Sequence, residues 1–366
     1  MRVESLRTLG FRNLGSAELE LGAQVTLLHG PNGAGKTNIL EALYMGLAGR
    51  SCRTRADRET IAFGEPLARA EVTLDDRGER REFLCAVDRE DGRRHLLNGS
   101  PAPADAASLR PALAVFMPDR LALVKGPPAA RRSPLDGFVL AWRPARAEAR
   151  RRYARALTQR NTLLSRIRAA VASTSSLDAW DEELASAGVQ LMAARREAVS
   201  SLAPHFAGAA RELGLGEGSE LSYRPRSSAT DATELRVELA ERRQSDLARG
   251  FSGHGPHLDE VAIVVAGRPA RRYASQGQQR VALLALLFAE REALVAGDRS
   301  PPLLLLDDVT SELDPVRRDL LCARLLDGRG QALVTATEPE HLPASCPRVE
   351  VGVRDGALMR DIPDAA

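Results

Sequence analysis

QVTLLHGPNGAGKTNILEAL, residues 24–43, is the stretch on which the fold turns. Its first six residues form a short apolar run of the kind that makes a buried strand. Residues 30–37 then place Gly30, four further residues, and Gly35-Lys36-Thr37 in the spacing of a phosphate-binding loop. From Asn38 the chain reads as a helix. The chemistry needs these residue types. Glycines let backbone N–H groups turn inward onto phosphate oxygens, and the helix N-terminus adds a favourable dipole. Lys36 brings a compact point charge to the β- and γ-phosphates, where a broad guanidinium serves less well. Thr37 supplies a hydroxyl for Mg²⁺. Gly30, Pro31, Asn32, Gly33, Ala34, Gly35, Lys36 and Thr37 are therefore the expected nucleotide loop.

A second apolar run, Leu303–Leu306, ends in Asp307 and Asp308. Acids at the end of a buried parallel strand lie where phosphates sit in such folds. Asp307 is assigned to the Mg²⁺ shell and Asp308 to the attacking water as general base, with Lys36 as the other catalytic group. An Asp in this role is one methylene shorter than Glu. That predicts slow hydrolysis, suited to a switch.

Around these two strands the pattern is α/β. Residues 2–22 alternate as strands with a turn near Asn13–Gly15, and Ala68–Leu74, Glu82–Asp88, Arg94–Leu97 and Ala112–Phe116 read as further strands. From about Pro144 the texture changes. Leu157, Leu164, Ile167 and Val171 recur at helical spacing, as do Leu177, Trp180, Leu184, Ala187, Leu191, Ala194 and Ala198 after a Ser/Thr break. This predicts an antiparallel helical hairpin with arms of about 25 residues, roughly 40 Å at 1.5 Å per residue. Beyond about 260 the α/β pattern returns, with strands at Val261–Ala266, Ala332–Thr335 and Val349–Val353 and helices near Gly277–Ala296 and Pro315–Leu326. The expected organisation is a discontinuous core, 1–125 with 255–366, and an inserted helical lobe, 126–254.

The 366 residues are 44% hydrophobic and 27% charged, an ordinary balance for a packed core, which excludes a disordered tail protein. Lys36 and Lys125 are the two lysines among 51 basic residues, leaving 49 arginines and a net charge of +2. Cys52, Cys85, Cys322 and Cys346 form no ligand pair and read as reduced packing residues. No apolar run is long enough to cross a bilayer, and the N-terminus lacks the apolar core of a signal peptide, so a cytoplasmic location with no membrane partner is expected.

Residues 274–280, Ala-Ser-Gln-Gly-Gln-Gln-Arg, lead into an apolar helix. Together with the phosphate loop and acids, this segment resembles the signature motif of ATP-binding-cassette (ABC-type) ATPases, and Ser311-Glu-Leu-Asp314 resembles their D-loop. About 240 residues separate Lys36 from Ser275, with a helical stretch between, as in the SMC-like repair ATPases. Several segments further resemble the RecF family of bacterial recombination mediators, in that family's order along the chain. They are Phe11-Arg-Asn13, residues 33–42, Leu123-Val-Lys-Gly126 with Arg131-Arg132, Gln159-Arg-Asn161, Gly255-Pro-His257, residues 275–280 and 307–314. Two positions depart from it: Ser133-Pro134 follows Arg132, and Leu258 follows His257.

The resemblance implies an ABC-ATPase-like head, a RecA-like P-loop core with β-strands, carrying the helical-hairpin lobe. It implies ATP and Mg²⁺ as cofactors and a weak DNA-dependent ATPase. It implies binding to single-stranded, gapped and double-stranded DNA, partnership with RecR and RecO to help RecA load, and a part in replication and the SOS response. In the ABC-type family the signature of one subunit caps the nucleotide of another. One of each motif per chain therefore implies an ATP-induced homodimer, with Ser275, Gly277 and Gln278 on the partner's nucleotide and Asp314 in the D-loop.

Between 143 and 155 six arginines face one acid, Glu148, a local excess of +5. Arg143, Arg146, Arg150 and Arg151, with Arg152, Arg155, Arg160, Arg166 and Arg168, form the expected DNA-facing stripe. The segment also reads as a solvated helix face. Lys125 fits nucleotide contact, DNA contact or a plain turn. His254 and His257 read as a structural turn, and Thr335-Ala-Thr337 lies where many ABC-type ATPases carry a switch histidine, which leaves γ-phosphate sensing expected of Thr337. The competing classes are a transporter's ATPase subunit, and a nuclease or scaffold of the SMC-like kind.

Overall fold

The structure, a computed structural model, describes every residue except Asp91, Ala104, Asp105, Pro118, Asp119, Arg120, Glu312, Gly328, Arg329 and residues 360–366. In chain order the first elements are β1 (Arg2–Leu9), β2 (Ala17–Glu20), β3 (Val25–His29), α1 (Lys36–Ala48), β4 (Leu67–Asp76), β5 (Glu79–Asp88), β6 (Gly92–Leu97), β7 (Ser100–Pro101) and β8 (Leu113–Phe116). Then come α2 (Ala122–Lys125), α3 (Pro128–Trp142), α4 (Ala147–Arg168), α5 (Leu177–Glu212), β9 (Glu220–Arg224), α6 (Ala232–Arg249), β10 (Glu260–Val265), β11 (Arg268–Pro269) and α7 (Ala270–Tyr273). The last are α8 (Gln276–Ala296), β12 (Leu303–Leu306), α9 (Pro315–Leu325), β13 (Ala332–Ala336), β14 (Val349–Arg354) and β15 (Ala357–Met359).

Two compact units result, Met1–Arg120 with Leu294–Ala366, and Leu121–Ala293. The first holds two six-stranded sheets. One runs β15-β14-β3-β13-β12-β8 and is parallel apart from the β14–β15 edge. Its middle strands are buried on both faces, which is why β12 is four consecutive leucines. The other runs β2-β1-β4-β5-β6-β7 and is antiparallel. Helix α1 packs on β4 and β5 and touches β13, and nine of its thirteen residues are buried. Gly46 permits that approach, since a Cβ there would stand 2.6 Å from Val72 Cγ2. Phe11, Leu40, Leu43, Phe83, Leu305 and Leu333 join one core.

Register sets the site. Val334 of β13 pairs with Leu306 on one side and Leu27 on the other. The residues that follow, Asp307 and Thr335, are thereby brought side by side next to the loop that leaves β3.

The second unit contains α3 to α6, a three-stranded sheet β11-β10-β9, α7 and most of α8. Arg146 pairs with Glu197, Arg152 with Glu183 and Arg160 with Asp181, so α4 and α5 run antiparallel as the periodicity predicts. The arms differ from expectation: α4 has 22 residues and α5 has 36. Helices α3 and α6 also pack on α5. Their sequences hide the pattern. Within α3 sits Pro134, and α6 buries only Leu235, Leu239 and Asp246. The second boundary lies at Ala293 and not at 254. Pairing accounts for part of the shift: β10 joins β9 antiparallel, which keeps 260–265 with the helical unit.

Among the described residues no helix is long and apolar enough to cross a membrane. Cys52, Cys85, Cys322 and Cys346 form no disulfide.

Candidate functional site

The loop between β3 and α1 opens onto a cavity of about 360 Å³ lined by residues 32–38, Arg53, Asp307, Asp308 and Thr335. Its shape depends on glycine. Gly30, Gly33 and Gly35 have φ of 148°, 82° and 114°, where L side chains are strained. A Cβ on Gly30 would also stand 2.1 Å from Val353 O.

Lys36 folds back over the loop and donates to the carbonyls of Gly30 at 2.5 Å and Pro31 at 2.9 Å. Thr37 Oγ1 donates to the Asp307 carboxylate, with Oδ1 and Oδ2 at 2.9 and 3.0 Å. Thr335 Oγ1 donates to Asp307 Oδ1 at 2.8 Å and accepts from Asp308 N at 2.9 Å. Asp308 adopts a left-handed conformation, φ 48°, and its buried Oδ1 has no hydrogen-bond partner.

Burial holds the Lys36 ammonium below the ordinary lysine value, opposed by the charges of Asp308 and Asp307. Burial raises Asp307 above the usual carboxylate range, opposed by the hydrogen bonds from Thr335 and Thr37.

These residues fit a nucleotide with Mg²⁺. Thr37 and Asp307 are adjacent hard oxygen donors, as Mg²⁺ prefers. Lys36 rests on two carbonyls and is free to exchange them for phosphate oxygens. Asp308 lines the same cavity, while its Oδ1 is buried without a hydrogen-bond partner among the described residues.

The structure thus brings Lys36, Thr37, Asp307 and Asp308 together. Arg53 and Thr335 line the same cavity and escaped the sequence reading. Arg53 is held by Asn38 Oδ1 at 2.8 Å and by Glu41 at 3.0 Å. Glu41 is fully buried and also takes Arg12 and Ser51. Asn13 hydrogen-bonds Gly33 O and Asn38, so Phe11-Arg-Asn13 acts as a brace behind the loop. The arginine in Ser51-Cys-Arg53 carried no spacing signal. Thr337 lies outside the cavity lining and meets His341 Nδ1 at 3.2 Å.

Ser275, Gly277 and Gln278 belong to the second unit, at the exposed start of α8. Ser275 Oγ accepts from Gln278 N, and Gln278 Oε1 accepts from Ser275 N, a reciprocal capping pair. Asp314 caps α9 by accepting from Arg317 N at 2.9 Å. Its neighbour Glu312 lies outside the described residues.

The arginine stripe divides. Arg160 is fully buried, bonded to Asp181, Asp246 and Ser252, and is no DNA contact. Arg146, Arg150, Arg151 and Arg152 pair with Glu197, Asp136, Glu148 and Glu183. Arg143 lies over the Trp142 ring, 4.7 Å from its centroid. Arg155 and Arg166 are exposed. Lys125 is exposed at the end of α2. Arg131 fixes that turn through Val124 O and Gly126 O, and grips Glu260 with both arms of its guanidinium. His254 meets Glu238, and His257 meets Tyr153 and the Ser252 carbonyl, as a structural turn requires. No cluster of three metal-ligating side chains occurs among the described residues.

The family model for the RecF/RecN/SMC N terminal domain matches residues 2–356. The DNA replication and repair protein RecF of Anaeromyxobacter sp. (strain Fw109-5) is 38% identical over 371 residues, spanning 98% of this chain and 99% of that one. RecF of Myxococcus xanthus (strain DK1622) is 37% identical over 353 residues, spanning 92% and 91%. The solved structure of the recombination mediator protein RecF-ATP in the RecFOR pathway superposes with a TM-score of 0.87 at 25% identity, over 98% of this chain and 97% of that one. An Smc head bound to the C-winged helix domain of ScpA shares the fold, with a TM-score of 0.59 at 15% identity.

Proposed function

The chain belongs to the RecF family of DNA replication and repair proteins, and from that premise we propose that it is an ATP-dependent DNA-binding protein of recombinational repair. The observation that carries this reading is the meeting of Lys36, Thr37, Asp307 and Asp308 around one cavity. In the proposed cycle the loop N–H groups of residues 33–37 and the Lys36 ammonium hold the ATP phosphates. Thr37 and Asp307 hold Mg²⁺, which neutralises phosphate charge when bound. Asp308 orients a water and accepts its proton as oxygen adds to the γ-phosphorus and the bond to ADP breaks. Turnover is slow, and hydrolysis resets a switch.

Each chain supplies one loop and one exposed signature segment. Two chains therefore make two complete sites, with Ser275, Gly277 and Gln278 capping the partner's nucleotide and Asp314 beside them. The ATP-bound homodimer holds single-stranded DNA, gapped DNA and duplex, through Arg143, Arg146, Arg150 and Arg151 among others. In the cytoplasm it works with RecR and RecO to help RecA load, during replication and the SOS response. A transporter ATPase subunit is the disfavoured alternative, since RecF proteins match over nearly the whole chain.

The test is ATP hydrolysis measured on gapped, single-stranded and duplex DNA. DNA-stimulated turnover on at least one of the three is expected. Turnover indifferent to all three, with no DNA retained in the presence of ATP, overturns the reading.

A further inference from the structure

Strand β13 reads Ala332-Leu-Val-Thr-Ala336, and Thr335 is fully buried within it. A valine would fill the same volume without burying a hydroxyl, so packing alone does not account for threonine here. The hydroxyl has one hydrogen to donate and two lone pairs. It donates to Asp307 Oδ1 at 2.8 Å and accepts from Asp308 N at 2.9 Å. One side chain thus ties the carboxylate of one acid to the backbone of the next.

Both ends of that tie matter. Thr37 is the other side chain that donates to Asp307. When the Thr37 hydroxyl turns its lone pairs to a metal ion, Thr335 still orients the carboxylate. Asp308 sits at φ 48°, a conformation that costs a non-glycine residue, and its N–H points to Thr335. That contact holds the turn which brings the Asp308 side chain to the cavity.

We propose that Thr335 is a positioning residue of the nucleotide site, holding Asp307 for the metal ion and Asp308 for the attacking water through a single hydroxyl. The proposal rests on the ATPase reading of the site. It assigns to β13 the coupling between metal binding and hydrolysis.

The experiment compares the full chain with Thr335→Val and Thr335→Ser. A fluorescent ATP analogue is titrated with and without Mg²⁺, hydrolysis is followed at saturating ATP, and thermal unfolding is recorded. For Thr335→Val we expect unchanged Mg²⁺-free nucleotide affinity. The Mg²⁺ concentration for half-maximal tight binding should rise about 10- to 100-fold, the usual effect of removing a partner of a metal ligand. The turnover number should fall while KM holds, and Thr335→Ser should restore both. The proposal is overturned if Thr335→Val keeps its Mg²⁺ response and turnover within about twofold. It is equally overturned if Mg²⁺-free affinity falls in parallel, or if serine fails to rescue. Should valine unfold the chain, Thr335→Ala is measured against the same outcomes. A wild-type chain that binds Mg²⁺-ATP without hydrolysing it defeats the ATPase reading alone, because the Mg²⁺ titration still decides the role of Thr335.

Discussion

Asp308 combines a left-handed backbone with a buried oxygen that has no hydrogen-bond partner among the described residues. Such strain persists where the surroundings over-determine it, and here Thr335 supplies the constraint. Replacing Asp308 by Asn keeps shape and removes the carboxylate proposed as the base. We expect single-turnover hydrolysis to fall by about 10²- to 10⁴-fold with ATP binding retained. Unchanged hydrolysis removes Asp308 from the role. Lys36 is the second residue-scale case. Its compact ammonium donates to two carbonyls 2.5 and 2.9 Å away, whereas a guanidinium spreads its donors in a fixed planar fork. Lys36→Arg should therefore keep much of the ATP binding and lose hydrolysis, measured by nucleotide titration beside turnover; normal turnover contradicts it. Both residues were legible because motif spacing names them. Arg53 and Thr335 were not. An arginine among 49 and a threonine in a β-strand carry no local signal, and only the neighbours they reach identify them.

Helix α4 shows how the same residue type serves two ends within one element. Arg160 is buried between Asp181 and Asp246, from α5 and α6. Removing it leaves the buried Asp246 without its cation and Asp181 with Arg243 alone. Arg160→Ala should cost about 3–5 kcal/mol of stability, read from urea unfolding. A loss below about 1 kcal/mol would mean that water reaches the acids. The exposed arginines of the same stretch pair with single acids, and exposed pairs hold their partners weakly. Phosphate can displace them. Changing Arg143, Arg146, Arg150 and Arg151 to Ala one at a time should lower the salt slope of DNA binding by about one unit per true contact. A slope that never moves excludes this helix from DNA. Sequence marks all these arginines alike. Helical phase sorts them, because Arg160 follows the buried Tyr153 and Ala156 on the face turned to α5.

At the scale of the whole molecule, one nucleotide loop and one signature segment per chain make assembly the central prediction. ATP should drive dimerisation in sedimentation, and Lys36→Met should abolish it. Mixing Lys36→Met chains with Ser275→Arg chains tests the arrangement further. If the sites form across two chains, each mixed dimer has one intact site and the mixture regains part of the activity that each variant lacks alone. No recovery on mixing would place the signature and loop of a site in the same chain. The sequence by itself determined the nucleotide loop, the two acids, the β-strands around them and the presence of a helical insert. Those features are written in short-range spacing, which strand and helix periods make readable. Three things lie beyond any local pattern: that β9 pairs with β10 and keeps 260–265 with the helical unit, that Thr335 joins Asp307 to Asp308, and that Arg160 is core while Arg143 is surface. Each depends on strand register or helix phase between segments distant in sequence. Such pairings are chosen by the burial of many side chains at once, so no local pattern records them.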